Sequence, residues 1–352
     1  MKKTLLAILA TVAMVACSND EIVREAAPEA IGFDNAFVNN STRSVVTPGY
    51  STTNLFNDFA VYGFVENAVL FNGTKVAKDG SVSNQELSQV WKYKDTQYWI
   101  AGANYDFYAV APYSGNWTIK DATTPASTGA QISFTNVDGT QDLLYAPIVA
   151  RQGGDNLGAV AFNFKHILSR VKFSFKNGYN ASAATICVRD IKITNAYATG
   201  VATLGADAAT WGEQDGVITN GVAFGNATTV ETYATDANEA NLVNYDYAYG
   251  TTIESYFERL LIPGSKEWNI SFVVDLLVSG KKIATYDHTA KATIALAPGM
   301  SYDIKAEITA TNIDPNHAQE PIEFTASMTD WTDATAENNA TVDTIQQGNQ
   351  NN

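Results

Sequence analysis

Apolar residues recur at every second position through much of this chain, a period that the β-strand satisfies and the helix does not. In Val171-Lys172-Phe173-Ser174-Phe175-Lys176, residues 171, 173 and 175 share one face and the polar residues share the other. That is the pattern of a half-buried antiparallel strand. Ile132-Ser133-Phe134, Val188 to Ile193, Ile270 to Leu276, Tyr302 to Ile308 and Ile322 to Met328 read the same way. Tyr105 to Pro112 reads as a fully buried strand. Turn dipeptides separate the runs: Asn72-Gly73, Asp79-Gly80, Asp138-Gly139, Asn177-Gly178, Ser279-Gly280 and Pro298-Gly299. No long capped helical pattern appears, and the best short helix candidates are Lys165 to Leu168 and Glu254 to Leu260. Strands at this spacing predict an all-β chain built of antiparallel β-sandwiches. No fixed-period repeat points to a propeller or solenoid.

At 352 residues the chain exceeds one ordinary core, so two domains are expected. The polar stretch Gln152 to Asn156 marks the boundary, giving an N-terminal domain over 44–155 and a C-terminal domain with a polar tail over 156–352. Ala202 to Ala240, rich in Ala, Thr, Asn and Gly, reads as long loops.

The N-terminus is an address. Met1-Lys2-Lys3 is a short basic segment, Thr4 to Val15 is apolar, and Ala16 is small. Residues 1–16 therefore read as a secretory signal peptide, too short for the roughly 20 residues of a membrane span. Met14-Val15-Ala16-Cys17 resembles a bacterial lipobox, which makes Cys17 the lipidation site and new N-terminus. The acidic Asp20-Glu21 just after it resembles the surface-export signal of Bacteroidetes lipoproteins.

Once Lys2 and Lys3 are removed with the leader, 20 basic residues face 37 acidic ones, a net charge of −17. Nucleic-acid binding needs a basic face, so that function class is disfavoured. With Cys17 at the lipidation site, Cys187 has no partner for an internal disulfide, and a cysteine-rich zinc site cannot be assembled. His166, His288 and His317 stand far apart in sequence. There is no HExxH, GxSxG, Walker A or GxGxxG pattern, so no catalytic residue, metal ligand or cofactor is assigned. Asp138-Gly139-Thr140-Gln141-Asp142 lacks the ligand spacing of a calcium loop and reads as a turn. His166 reads as a hydrogen-bonded structural histidine.

Aromatic residues gather at Trp91, Tyr93, Tyr98, Trp99, Tyr105, Phe107, Tyr108, Tyr113 and Trp117. They fit core packing in a sandwich, and alternatively a sugar-stacking platform on a non-polymerising, glycan-binding surface lipoprotein.

Several stretches together resemble the fimbrillin family of the Bacteroidetes, the Mfa-like subunits of type V pili. They are Ile31-Gly32-Phe33, Ser41 to Ser44, Phe59 to Phe64, Tyr105 to Pro112, Asp142 to Ala146, Phe162 to Phe173, Leu261-Ile262-Pro263, Gly299 to Tyr302 and Asp330-Trp331-Thr332. The resemblance implies two tandem transthyretin-like β-sandwiches and no enzymatic activity. It also implies an outer-membrane lipoprotein precursor at the cell surface, cut by an Arg-directed, trypsin-like protease and polymerised into a fimbria by donor-strand exchange. Arg43-Ser44 is the expected processing site, so 17–43 is the expected propeptide and Ile31 to Val38 the strand removed. Ile322, Phe324, Ala326 and Met328 form the candidate donor strand, with Ala340 to Ile345 a weaker one. The implied partners are other pilus subunits, the processing protease, the membrane reached through the lipid, and a host or bacterial surface ligand. Asp343-Thr344-Ile345 resembles an O-glycosylation sequence of that phylum.

Overall fold

The computed structural model describes residues 29–38, 56–87, 90–120, 129–154, 157–179, 184–225, 252–254, 258–278 and 281–331. Among them there is no helix, and so none long and apolar enough to cross a membrane. The strands are β1 (Phe33–Val38), β2 (Asp58–Val65), β3 (Ala68–Ala77), β4 (Asn104–Ala111), β5 (Trp117–Lys120), β6 (Gln131–Thr135), β7 (Leu144–Gln152), β8 (Val160–His166), β9 (Ser169–Asn177), β10 (Thr185–Ile193), β11 (Thr199–Leu204), β12 (Ala209–Asp215), β13 (Val222–Gly225), β14 (Thr252–Glu254), β15 (Arg259–Leu261), β16 (Gly264–Val278), β17 (Lys281–Leu296), β18 (Met300–Ile308) and β19 (Phe324–Asp330). The all-β class is as expected. The two short helix candidates are overturned: Lys165 and His166 end β8, and 252–254 and 259–261 are strands. Backbone pairing across a sheet outweighs the weak local pattern of so short a window.

Four sheets make two face-to-face stacks. A six-stranded sheet, ordered β1-β8-β7-β4-β2-β3, lies against a four-stranded one, β12-β11-β6-β5. A five-stranded sheet, β14-β9-β18-β19, with β15 also on β9, lies against β13-β10-β16-β17. Most pairs are antiparallel; β1–β8 and β9–β18 are parallel. In the second stack Phe173, Phe175, Ile304 and Phe324 meet Val188, Ile270, Phe272 and Ala292, all essentially buried.

The central strands of the six-stranded sheet, β2 and β4, are buried on both faces. One face of β2 and β4 gives Phe59, Val61, Phe107 and Ala109 to one apolar cluster, and the other gives Ala60, Tyr62, Tyr108 and Val110 to a second. That is why Phe59 to Phe64 is a near-continuous apolar run rather than an alternating one.

The expected boundary after residue 155 does not fall between sheets. Gln152 ends β7, and the next strand, β8, pairs with β7 and belongs to the first sheet. β11, from the second half of the chain, pairs with β6 from the first. Only at Ile167-Leu168 does the chain leave the six-stranded sheet for the five-stranded one.

One turn expectation also changes. Asn72-Gly73 lies inside β3, where pairing with β2 slips between Val61 and Tyr62, and Gly73 takes φ +67° as the bulged residue. The β2–β3 reversal is made by Glu66 and Asn67, both at positive φ. Glu66 is held there by its carboxylate, which accepts hydrogen bonds from the backbone and side-chain amides of Asn104.

Two polar groups sit inside the second stack. Asp275 is fully buried and pairs with Arg189 at 2.9 Å and the Thr285 hydroxyl at 2.6 Å. The hydrogen bond to Asp275 pushes the guanidinium pKa of Arg189 up further. His288 on β17 is buried with its ring stacked 5.0 Å from Phe272, and its Nε2 has no hydrogen-bond partner among the described residues. Burial pushes its pKa below the ordinary histidine value, against a hydrogen bond to the Ile313 backbone and the charges of Asp287 and Asp314. The unfolded chain therefore takes up this proton more readily than the native one. Stability from neutral His288 is intact above the unfolded pKa of roughly 6.5 and is lost as pH falls from there toward the native value. His288→Phe should remove that part of the pH dependence in urea-unfolding measurements between pH 7 and 5. An unchanged slope would remove His288 as its source.

Candidate functional site

The first sheet curls so strongly that its two edge strands approach each other. Phe33 on β1 and Phe71 on β3 have ring centroids 5.5 Å apart. The segment 91–99 bridges the gap between them. Lys92 exchanges two backbone hydrogen bonds with Ala77 at the end of β3, both 2.9 Å. On its other side the same segment grips the chain leading into β1: Ile31 N–H donates to Gln97 O at 2.8 Å, and Trp99 N–H donates to Glu29 O at 2.9 Å. The Tyr93 hydroxyl donates to Ile31 O at 2.7 Å. β1 thus lies in a slot between the 91–99 segment and β8, and it closes an almost complete wrap.

The slot has two deep side-chain sites. Ile31 and Phe33 are both wholly buried. The ring of Phe33 is surrounded by Phe59, Phe71, Tyr93, Phe107 and Phe162, at centroid distances from 5.4 to 6.4 Å. Gly63 makes room for this cluster, because a Cβ there would stand 2.7 Å from Phe71 and 2.8 Å from Phe107. The backbone of β1 is held less evenly. Gly32 O accepts from Val160 N–H at 2.8 Å, and the register against β8 slips between Asp34 and Phe37. β1 is an edge strand with deep apolar anchors at one end and an irregular ladder beyond them. Residues 39–55, which join it to β2 and contain Arg43 and Ser44, lie outside the described residues, as do Cys17 and the tail with 340–345.

The candidate donor stripe is inside its own sheet. β19 pairs with β18 alone, in register from Met300–Asp330 to Ala306–Phe324. Ile322, Phe324 and Ala326 are buried in the C-terminal core, and Met328 packs against it. Just beyond β19, Trp331 inserts between the stacks. Its ring lies flat on His166, with centroids 3.7 Å apart, and the Arg170 guanidinium stands 5.4 Å from it. His166 Nδ1 is 2.7 Å from the Asp142 carboxylate, both side chains being buried. His166 is therefore a structural histidine, as expected, but its stacking on Trp331 has no signal in the sequence.

The aromatic cluster resolves into core. Trp91, Tyr93, Trp99, Tyr105, Phe107 and Tyr108 are buried, while Tyr98 and Tyr113 remain substantially exposed. Six of the nine rings considered for a sugar platform thus face inward. Asp138 forms a local turn, accepting from the Thr140 backbone and hydroxyl. Among the described residues no group of His, Cys, Asp or Glu side chains is arranged to hold a metal ion.

The sequence profile of the fimbrillin-like family matches residues 42–331. The match begins beside Arg43, leaving β1 outside it, and ends at Trp331. Among solved structures, the fold is similar to that of a candidate cell adhesion protein of Bacteroides uniformis, at 17% identity and TM-score 0.44, over 87% of this chain and 98% of that one. It is also similar to the fimbrial anchor protein Mfa2 of Porphyromonas gingivalis, at 15% identity and TM-score 0.40, over 87% and 98%. A candidate polysaccharide-binding protein of Bacteroides thetaiotaomicron aligns at 13% identity and TM-score 0.37, over 81% and 92%. No curated protein matches. With its profile match running through both sandwiches, the chain belongs to the fimbrillin-like family, the pilus-type subunits and adhesins of the cell surface.

Proposed function

We propose that this chain is a structural subunit of a surface fimbria, made as a lipoprotein and assembled by exchange of strands between subunits. Cys17 carries the lipid and tethers the precursor to the outer membrane. An Arg-directed protease cuts after Arg43, leaving Ser44 as the mature N-terminus. β1 then has no covalent link to the body and leaves its slot, and a strand of a neighbouring subunit takes its place. The stripe Ile322, Phe324, Ala326 and Met328 is the candidate donor, and to serve it must leave β18. The chain acts by binding other subunits and a surface ligand, not by catalysis.

The observation that carries this reading is the placement of β1. It is an edge strand near the N-terminus, it fills a slot with apolar side chains, and the expected cleavage site follows it in the chain. Until the cut it blocks the slot and prevents premature assembly. Once it has gone, unpaired backbone groups and exposed apolar surface favour addition of a strand.

Limited trypsin digestion of the chain from Ser18 onward tests this, followed by N-terminal sequencing and electrophoresis without boiling. A mature start at Ser44 with a ladder of oligomers is expected. Arg43→Ala should give a folded monomer and no ladder; a ladder at the wild-type rate would eliminate Arg43 as the processing site.

A further inference from the structure

The slot vacated by β1 is not a uniform apolar groove. It has an aliphatic site, filled by Ile31, and two residues on an aromatic site, filled by Phe33 and lined by five rings. A replacement strand running in the same direction, parallel to β8, must present that pair at the same spacing to refill both. We propose that the slot selects its occupant by an aliphatic-x-aromatic pair, and that the occupant is Ile322-Glu323-Phe324 of a second copy of this chain. Ile322 takes the place of Ile31 and Phe324 that of Phe33. This rests on the strand-replacement reading given above and adds to it the register and the residues that decide it.

Ile-x-Phe occurs four times in the sequence, at 31–33, 132–134, 270–272 and 322–324. Ile132 and Phe134 lie on β6, held between β11 and β5. Ile270 and Phe272 lie on β16, held between β10 and β17. Neither strand can leave without splitting a sheet. Ile322-Glu323-Phe324 leads into β19, which has a sheet neighbour on one side only and lies close to the C-terminus. Its two apolar side chains share one buried face, with Glu323 exposed between them. The match is imperfect at one point: Gly32, between the two anchors of β1, is buried, and Glu323 would stand there. That position therefore weakens the fit without altering the register.

The register makes a specific neighbour. Asp34 is paired with Ala161 of β8, so Thr325 of the incoming strand should face Ala161, an exposed position. The test uses the chain from Ser18 onward, cut with trypsin, and a synthetic peptide of residues 319–331. Mass spectrometry first establishes whether the fragment containing 29–38 has been released. Fluorescence anisotropy then follows capture of the labelled peptide. Capture is expected after release and not before. Ile322→Ala and Phe324→Ala peptides should bind at least about tenfold more weakly, given the usual cost of emptying a well-packed apolar site. A Glu323→Gly peptide should bind more tightly. With Ala161→Cys in the protein, a Thr325→Cys peptide should form the disulfide in higher yield than Glu323→Cys or Ser327→Cys peptides. Equal capture of the Phe324→Ala peptide, or failure to capture the parent peptide by released protein, would overturn the selection rule. A disulfide favouring another position would overturn the register. Retention of the 29–38 fragment after cutting would overturn the strand-replacement reading itself and the inference with it, and the mass measurement distinguishes that failure from the others.

Discussion

Arg189→Met should destabilise the C-terminal sandwich by about 3–5 kcal/mol, the usual cost of stranding one member of a buried ion pair. Asp275 is fully buried on β16, and Arg189 on β10 reaches it from the adjacent strand. With the guanidinium gone, the carboxylate keeps the Thr285 hydroxyl and the Lys282 ammonium at 4.0 Å, which do not replace a charge in direct contact. Replacing both partners, as in Arg189→Met with Asp275→Leu, should recover most of the loss, because neither charge then has to be desolvated. Urea unfolding followed by circular dichroism measures both variants. A loss below about 1 kcal/mol in the single variant, the level of a surface pair, would show that the pair contributes little.

Phe33→Ala in the uncut chain should destabilise the first stack by a similar amount, about 3–5 kcal/mol, since it empties a site closed on all sides by rings. The effect should also be local. β1 is an edge strand and the five surrounding rings belong to four other strands and the 91–99 segment, so loosening it leaves their mutual pairing intact. Hydrogen exchange should accordingly rise at Ile31 and Val160, whose amides donate to Gln97 and Gly32, and remain slow at the centre of β4. Uniform loss of protection across the first sheet would mean that β1 is an integral part of the core rather than a separable plug.

How far the sequence discloses this molecule depends on how each element is held. β9, β16 and β18 are half-buried, so their alternation is plain in 171–176, 270–276 and 302–308. β2 and β4 are covered on both faces and lose that alternation, yet their apolar runs still mark them as strands. The turn at Glu66-Asn67 carries no turn dipeptide and goes unseen, while the bulge at Gly73 is misread as a turn: turn chemistry reports which residue tolerates positive φ, and Gly73 uses that tolerance to kink a strand rather than end it. The N-terminal strand is legible as an apolar segment before Arg43. Its slot is not, because the 91–99 segment forms isolated contacts with β1 and β3 instead of a regular ladder. The same holds for Trp331 on His166, which joins residues 165 positions apart by stacking alone. The boundary at 155 fails because a polar stretch looks the same in a connection between paired strands as in a linker.

The parallel alignment of β1 with β8 has a mechanical consequence. Tension applied along a strand seated there loads its hydrogen bonds side by side, so they must rupture together in shear. A strand pulled away from its edge instead opens one bond at a time and yields at far lower force. If the occupant of the slot is drawn along β8 when a fibre is stretched, each joint is loaded in its stronger direction. The buried anchors at Ile31 and Phe33 then act as detents against sliding, because a slip by one residue would turn both side chains toward the wrong face.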